Sequence, residues 1–352
     1  MGFLCYLCRR IFVRMDMEQI NRIFDDFSKA TVLVIGDVMI DCYINGKVSR
    51  ISPEAPVPIV NAQSRSYRLG GAANVALNLK SLGARPILCS VIGSDNKSKV
   101  LYDLMEECEL DSLGLIPIYG RRTTVKYRII GNNAHIVRVD DERDEQLKER
   151  EKRQFLTTVE QVIDHNPIDA IIFEDYDKGL FSKDLIEEII RFAQKKNIFI
   201  AVDPKKRNFN NYENVNLFKP NLKELSAGLN IEDNVSLTVE NIHTLAKKFA
   251  EEKKIDMVMI TMSDRGIAFY DSQKDIFYHQ DAFTRRVSDP SGAGDTVISV
   301  ATLFLLHRES IAATCLASNL AGGIVCEYVG VVPINVSQLK NEIYKNQESR
   351  NA

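Results

Sequence analysis

The chain has 352 residues, of which 45% are hydrophobic and 26% charged, and a net charge of -3. This composition fits a soluble globular protein with enough length for a large core, in one large α/β domain or two smaller ones. The charge balance, with no basic stripe, argues against nucleic acid as the main partner, and no apolar run nears the roughly 20 residues of a membrane span.

Residues 1–16 read as an extension outside the fold or a start-site artefact. Their apolar stretch precedes Arg9-Arg10, no small-residue cleavage site follows, and Tyr6 stands where a myristoylation signal needs Ser or Thr. An amphipathic helix with Ile20, Ile23, Phe24 and Phe27 begins just after Met15 and Met17, so one domain is expected over 17–352. The seven cysteines are scattered and odd in number, as in a reducing compartment. Cys5 and Cys8 form a lone C-x-x-C without the second pair or His that a zinc site needs.

From residue 31, short apolar runs alternate with longer helical ones. The pattern predicts strands at 31–36, 86–92, 168–173, 198–202, 215–218, 257–261 and 266–270. It predicts helices at 72–82, 97–108, 183–195, near 293–306 and near 310–327, while 148–153 reads as a solvated helix face. The implied fold is α/β: a mostly parallel sheet flanked by helices, with ligands at the C-terminal ends of its strands. Residues 44–67 and 123–139 break the rhythm and read as a small projecting β-lid, the second folded about the turn Gly131-Asn132-Asn133.

The stretch Ser288 to Thr296 leads through Gly292, Ala293 and Gly294 into a helix with Asp295 in its first turn. A helix start holds anions through unpaired N–H groups, and a carboxylate there suits a site that handles both a phosphate and a proton. An ordinary helix N-terminus explains the stretch equally well by itself. Asp37 and Asp41, at the exit of the first strand, are candidates for sugar hydroxyls, and two loop carboxylates are the plain alternative. Gly70, Gly71 and Asn74 bring a helix start to the same cleft. Asn221 and Glu224 share a helical face and could order water around Mg²⁺, although a capping box is the simpler reading. Lys178 and Lys205 each follow a strand and could meet a second phosphate; Lys206 and Arg207 read as surface charge. No Walker A, protein-kinase glycine loop or Ser-His-Asp signal is present.

Taken together, these pieces resemble the ribokinase/PfkB family of sugar kinases over roughly residues 31–335. Gly70 to Asn74 is similar to the family's N-terminal signature, and Asp289 to Asp295 to its C-terminal one. Asn221-x-x-Glu224 is similar to its magnesium and phosphate motif. Thr261, Ser263 and Gly266 resemble its nucleotide-side strand, with Asn319 on the same side. The resemblance implies a ribokinase-like fold and ATP with Mg²⁺, the metal reached from Glu224 through water, and a possible monovalent cation. Pro290 departs from the signature and removes one N–H donor.

Within the family, Ser49 to Pro58, with Arg50, resembles the D-glycero-β-D-manno-heptose-7-phosphate kinases. That implies a cytoplasmic enzyme of ADP-heptose and lipopolysaccharide core synthesis, acting on a sugar phosphate and ATP. The chain's end at Ala352 implies a separate adenylyltransferase. Asp295 would take the proton of the anomeric hydroxyl, with the helix dipole keeping it ionised and weakly basic. Gly292 to Asp295 would stabilise the phosphoryl group. Asp37, Asp41, Arg50, Gly70, Gly71 and Asn74 would hold the sugar, and Lys178 and Lys205 its phosphate. The rival readings are a kinase of a fructose phosphate or ribose-like sugar, and a non-catalytic sugar-binding regulator. A homodimer through the lid is expected, with no nucleic-acid or membrane partner.

Overall fold

In the computed structural model, which describes residues 15–132, 134–232 and 237–348, the run Thr31–Gly36 is a strand (β1) buried along its whole length. The later strands are β2 (Val38–Ile51), β3 (Pro58–Gly71), β4 (Arg85–Gly93), β5 (Leu115–Ile118), β6 (Val125–Gly131), β7 (Ala134–Asp141), β8 (Ala170–Glu174), β9 (Phe199–Asp203), β10 (Leu217–Phe218), β11 (Met257–Thr261), β12 (Ile267–Asp271) and β13 (Ile276–Gln280). The helices are α1 (Met17–Asp26), α2 (Ala72–Ser81), α3 (Asn96–Glu107), α4 (Glu149–His165), α5 (Lys183–Lys195), α6 (Leu222–Gly228), α7 (Val239–Lys253), α8 (Ala293–Leu306), α9 (Ile311–Cys326) and α10 (Val336–Glu348).

A 9-stranded sheet runs in the order β13-β12-β11-β10-β9-β8-β1-β4-β5. It is parallel from β11 to β5, and β12 and β13 add antiparallel at one edge. A strand buried on both faces sends alternate side chains into separate cores. In β1, Val32 and Val34 pack with α1, α2, α8, α9 and α10, while Leu33 and Ile35 pack with α4, α5 and α7. Helix α5 shows why these segments dock: Leu185, Ile186, Ile189, Ile190 and Ala193 form one buried stripe. Helix α8 is buried continuously from Asp295 to Phe304, as befits a helix enclosed by its neighbours.

The lid is a separate 4-stranded sheet ordered β3-β2-β6-β7. It is longer than the expected 44–67 and 123–139, because β2 and β3 pair without a break from Val38↔Gly71 to Ile51↔Pro58 apart from two bulges. Its base is therefore continuous with the loop after β1, which ties lid to body. Helix α4 runs well beyond the solvated face expected at 148–153, and α10 follows the last expected helix. Residues 1–14, with Cys5 and Cys8, lie outside the described residues, as does Asn133 of the hairpin. Of the expected extension, Met15 is buried in the core, and Asp16 caps α1 by accepting from the Gln19 N–H at 2.8 Å. The fold thus begins before residue 17.

Helix α1 is fixed to α8 by rings: Phe24 and Phe27 lie 5.1 Å apart, and Phe27 lies 5.6 Å from Phe304. Phe27 is fully buried. Phe27→Ala is expected to cost about 3–5 kcal/mol in urea unfolding. A loss below about 1 kcal/mol would show that α1 contributes little to the core.

Candidate active site

The site lies at the C-terminal ends of β1, β8 and β9, where the first turn of α8 meets the first turn of α2. Gly292, at the N-cap of α8, has φ of 82°, and a Cβ there would fall 2.9 Å from Asn74 Nδ2. A side chain at 292 would therefore be strained and would push Asn74 away. Asn74 Nδ2 donates to Asp295 Oδ2 at 2.7 Å, and the Tyr176 hydroxyl donates to Oδ1 at 2.8 Å. Asn78 backs this pair: it donates to the Asn74 carbonyl at 2.9 Å and accepts from Thr296 Oγ1 at 3.1 Å. These buried polar contacts set α2 against α8 in one register.

Asp295 is only 3% exposed, and burial pushes its carboxyl above the ordinary value of 3.8, against the pull of the Asn74 and Tyr176 hydrogen bonds. This corrects the expectation that the helix dipole leaves it a weak base: desolvation outweighs the dipole here. The N–H of Ala293 turns back to the Pro290 carbonyl at 3.3 Å. Among the described residues, the N–H groups of Gly294 and Asp295 have no hydrogen-bond partner, so they are the donors free to face an anion.

Beneath the α8 start lies a layer of paired charges. Lys219 is fully buried and contacts Asp203 Oδ2 at 2.8 Å; burial would lower its pKa, but Asp203 and Glu224 outweigh it and hold it above the usual value. Lys205 Nζ contacts Glu224 Oε1 at 2.5 Å and sits 4.9 Å from the Tyr176 ring centre. Glu174 is fully buried with neither oxygen hydrogen-bonded among the described residues, and burial, Asp203 and Asp295 drive its pKa well up.

The other expected residues fall into place unevenly. Asp37 Oδ2 accepts from the Tyr176 and Lys178 N–H groups at 3.0 and 3.1 Å, so it braces the loop that presents Tyr176. Asp175 anchors the same loop from below by accepting from Asn208 and Tyr212, and burial followed by the nearby Asp37 pushes it up to about 7. Asp41 forms a buried ion pair with Arg128 on β6. A Cβ on Gly70 would fall 2.3 Å from Asp41 Oδ2, and one on Gly71 2.3 Å from the Asp37 carbonyl. Gly70 lets β3 close on the Asp41 carboxylate, and Gly71 lets it close on the Asp37 backbone. Lys178 Nζ contacts Glu142 at the end of the lid at 2.7 Å. Arg50 is exposed near the far end of β2, roughly 30 Å from Asp41 at the ~3.3 Å rise of a strand. The structure does not bring it to this site. Asn221 and Glu224 form a reciprocal capping box on α6, at 2.8 and 2.9 Å, which is the plainer of their two readings.

On the other side of the α8 start is a cleft of about 450 Å³. Thr261, Ser263, Gly266 and Asn319 line it together with Pro290 and Ala293. Pro290 thus forms part of this wall, and the loop it interrupts is held by Asp289, which accepts from the Ser291 and Gly330 N–H groups at 3.0 Å each. Sequence alone assigns no role to Tyr176, Lys219, Asp203 or Arg128, which the fold brings to the site. Lys219 carries a signal, a charged residue set between the strand end at Phe218 and Pro220.

The fold and site together define a sugar-kinase-like phosphotransfer scaffold. Residues 29–337 match the pfkB family of carbohydrate kinases, and the chain belongs to that family. It is 36% identical over 321 residues to the bifunctional protein HldE of Methylobacillus flagellatus, covering 91% of this chain and 64% of that protein. It is likewise 36% identical over 299 residues to the bifunctional protein HldE of Helicobacter pylori J99, covering 85% and 63%. The chain therefore spans just under two thirds of these relatives' length. Among solved structures it is similar to Escherichia coli phosphofructokinase-2 in complex with substrates and products (TM-score 0.73, 19% identity, 91% of this chain and 99% of that one). It is also similar to Arabidopsis thaliana ribokinase complexed with ribose and ATP (TM-score 0.67, 14% identity, 88% and 98%). At these identities the two structures show the shared fold.

If ionised Asp295 is the working form, activity falls as pH drops through its raised pKa. The acid limb of kcat/KM should then lie above pH 3.8, and Tyr176→Phe, which removes a hydrogen bond that favours the charged form, should move it higher. An acid limb unmoved by Tyr176→Phe would detach the tyrosine from the titrating group.

Proposed function

We propose that the chain is an ATP-dependent kinase that phosphorylates the anomeric C1 hydroxyl of D-glycero-β-D-manno-heptose 7-phosphate, giving the 1,7-bisphosphate. The observation that carries this reading is the buried Asp295 carboxylate beside two free N–H groups, at the meeting of a nucleotide-sized cleft and the lid. The Ser49 to Pro58 segment and the similarity to HldE proteins support the heptose substrate.

In the reaction, the C1 oxygen attacks the γ-phosphorus, the bond to the β-phosphate oxygen breaks, and ADP leaves. Asp295 accepts the hydroxyl proton. The N–H groups of Gly294 and Asp295 face the oxygens of the transferring group, where preorganised donors stabilise developing charge. Asn74 and Tyr176 hold the carboxylate so that its remaining lone pairs point at the acceptor. Mg²⁺ would come with the nucleotide phosphates and neutralise their charge. Among the described residues no cluster of three or more ligands forms a dedicated metal cage, while Glu224 and Asp203 Oδ1, which has no hydrogen bond and lies 3.7 Å from Lys205 Nζ, are carboxylates that could reach a hydrated cation. Lys178 would hold the substrate's 7-phosphate once released from Glu142.

The lid supports a homodimer. Ile136, Val137 and Val139 on β7, with Ile51 and Val57 at the tip, are exposed large apolar side chains gathered on one small sheet. Such surface is more typical of a covered interface than of a solvated one. Light scattering should give twice the chain's mass, and a monomer mass would contradict the dimer. No helix among the described residues is long and apolar enough to cross a membrane.

An ADP-release assay with Mg-ATP tests the substrate. Heptose 7-phosphate should turn over far faster than fructose 6-phosphate or ribose. Equal or better turnover of fructose 6-phosphate would replace the heptose reading with another sugar kinase, and no ADP release with any sugar would favour a regulator.

A further inference from the structure

The loop between β13 and α8 places Arg285 on the wall of the nucleotide-sized cleft. Its guanidinium is tied by two carboxylates: Nη1 donates to Glu327 Oε1 at 2.9 Å and to Glu342 Oε1 at 3.2 Å, and Nη2 pairs with Glu342 Oε2. Glu327 follows α9, and Glu342 belongs to α10. The side chain lies directly over Gly323 of α9, where a Cβ would fall 2.6 Å from Arg285 Nε and 2.7 Å from Cδ. Nε is buried and has no hydrogen-bond partner among the described residues.

These contacts narrow what Arg285 can do. A guanidinium that grips phosphate uses its terminal N–H groups, and here both terminal nitrogens are taken by carboxylates. The two carboxylates also outnumber its charge, so the cluster does not attract a polyphosphate. What the arrangement leaves is a flat, weakly hydrated cation fixed in plane against a glycine, on the wall of a largely apolar slot. Such a surface suits a planar aromatic ring. We propose that Arg285 is the stacking wall for the nucleotide base, and that Glu342 positions it, so that α10 tunes nucleotide affinity. The proposal rests on the cleft being the nucleotide site, as in the kinase reading above.

The test is direct binding of Mg-nucleotides to the full chain without sugar, followed by calorimetry, alongside KM values in the kinase assay. Arg285→Met keeps length but removes the plane. It should weaken ATP binding about 10-fold and shrink the preference for ATP over UTP, because the larger purine loses more stacking. Glu342→Gln should weaken ATP in the same sense by about threefold, and Gly323→Ala, which crowds the guanidinium, should do likewise; none should change KM for the sugar. A general loss of structure would weaken ATP and UTP alike. Overturning results are an unchanged ATP affinity in Arg285→Met, or equal losses for ATP and UTP. If Mg-ATP binds the wild type but no sugar is phosphorylated, the kinase reading fails while the base wall stands. If Mg-ATP does not bind the wild type, both fail.

Discussion

A carboxylate buried at a helix start is the constraint on which the rest of this structure depends. Removing an ionisable group from water is costly unless it is hydrogen-bonded. Asp295 meets that requirement with one donor from α2 and one from the loop after β8, so three elements must be in register for the group to exist in this form. Gly292 follows from it, because any side chain there would displace Asn74. So does the bracing by Asp37, whose two backbone contacts hold the Tyr176 loop in reach.

The same end of the sheet collects unusual charge. Asp203 with Lys219, and Glu224 with Lys205, form adjacent ion pairs beneath α8. Replacing such pairs by apolar side chains is often neutral for stability, so their presence points to electrostatic work at this spot. The lid side is built differently: Asp41 is matched to Arg128 across the parallel pairing of β2 with β6, so the lid's base lies beside this end of the sheet while its tip stays remote. The cleft on the other side of the α8 start is lined in part by Arg285, held by Glu342 of α10.

The main sheet was legible because its strands are short buried runs: β1 and β11 fall on their expected bounds, as does α5 with its regular stripe. The expected helices stop short of α10, although Val336, Leu339, Ile343 and Tyr344 recur at helical spacing and pack on the core. The long β2 escaped because its first residues read as the loop after β1. In the site, the glycines and Asp295 carried a recognisable spacing, whereas Tyr176 meets Asp295 from 119 residues away with no local pattern around it. The bond of Asp41 to Arg128, and that of Lys205 to Glu224, are likewise fixed by the fold.

The most direct measurement of the central claim is single-turnover phosphoryl transfer by Asp295→Asn, beside its equilibrium binding of the sugar phosphate. If Asp295 is the base held by Asn74 and Tyr176, transfer should slow by roughly 10²–10⁴-fold while binding stays within a few fold. Transfer at near the wild-type rate would contradict the account and remove Asp295 from the proton's path.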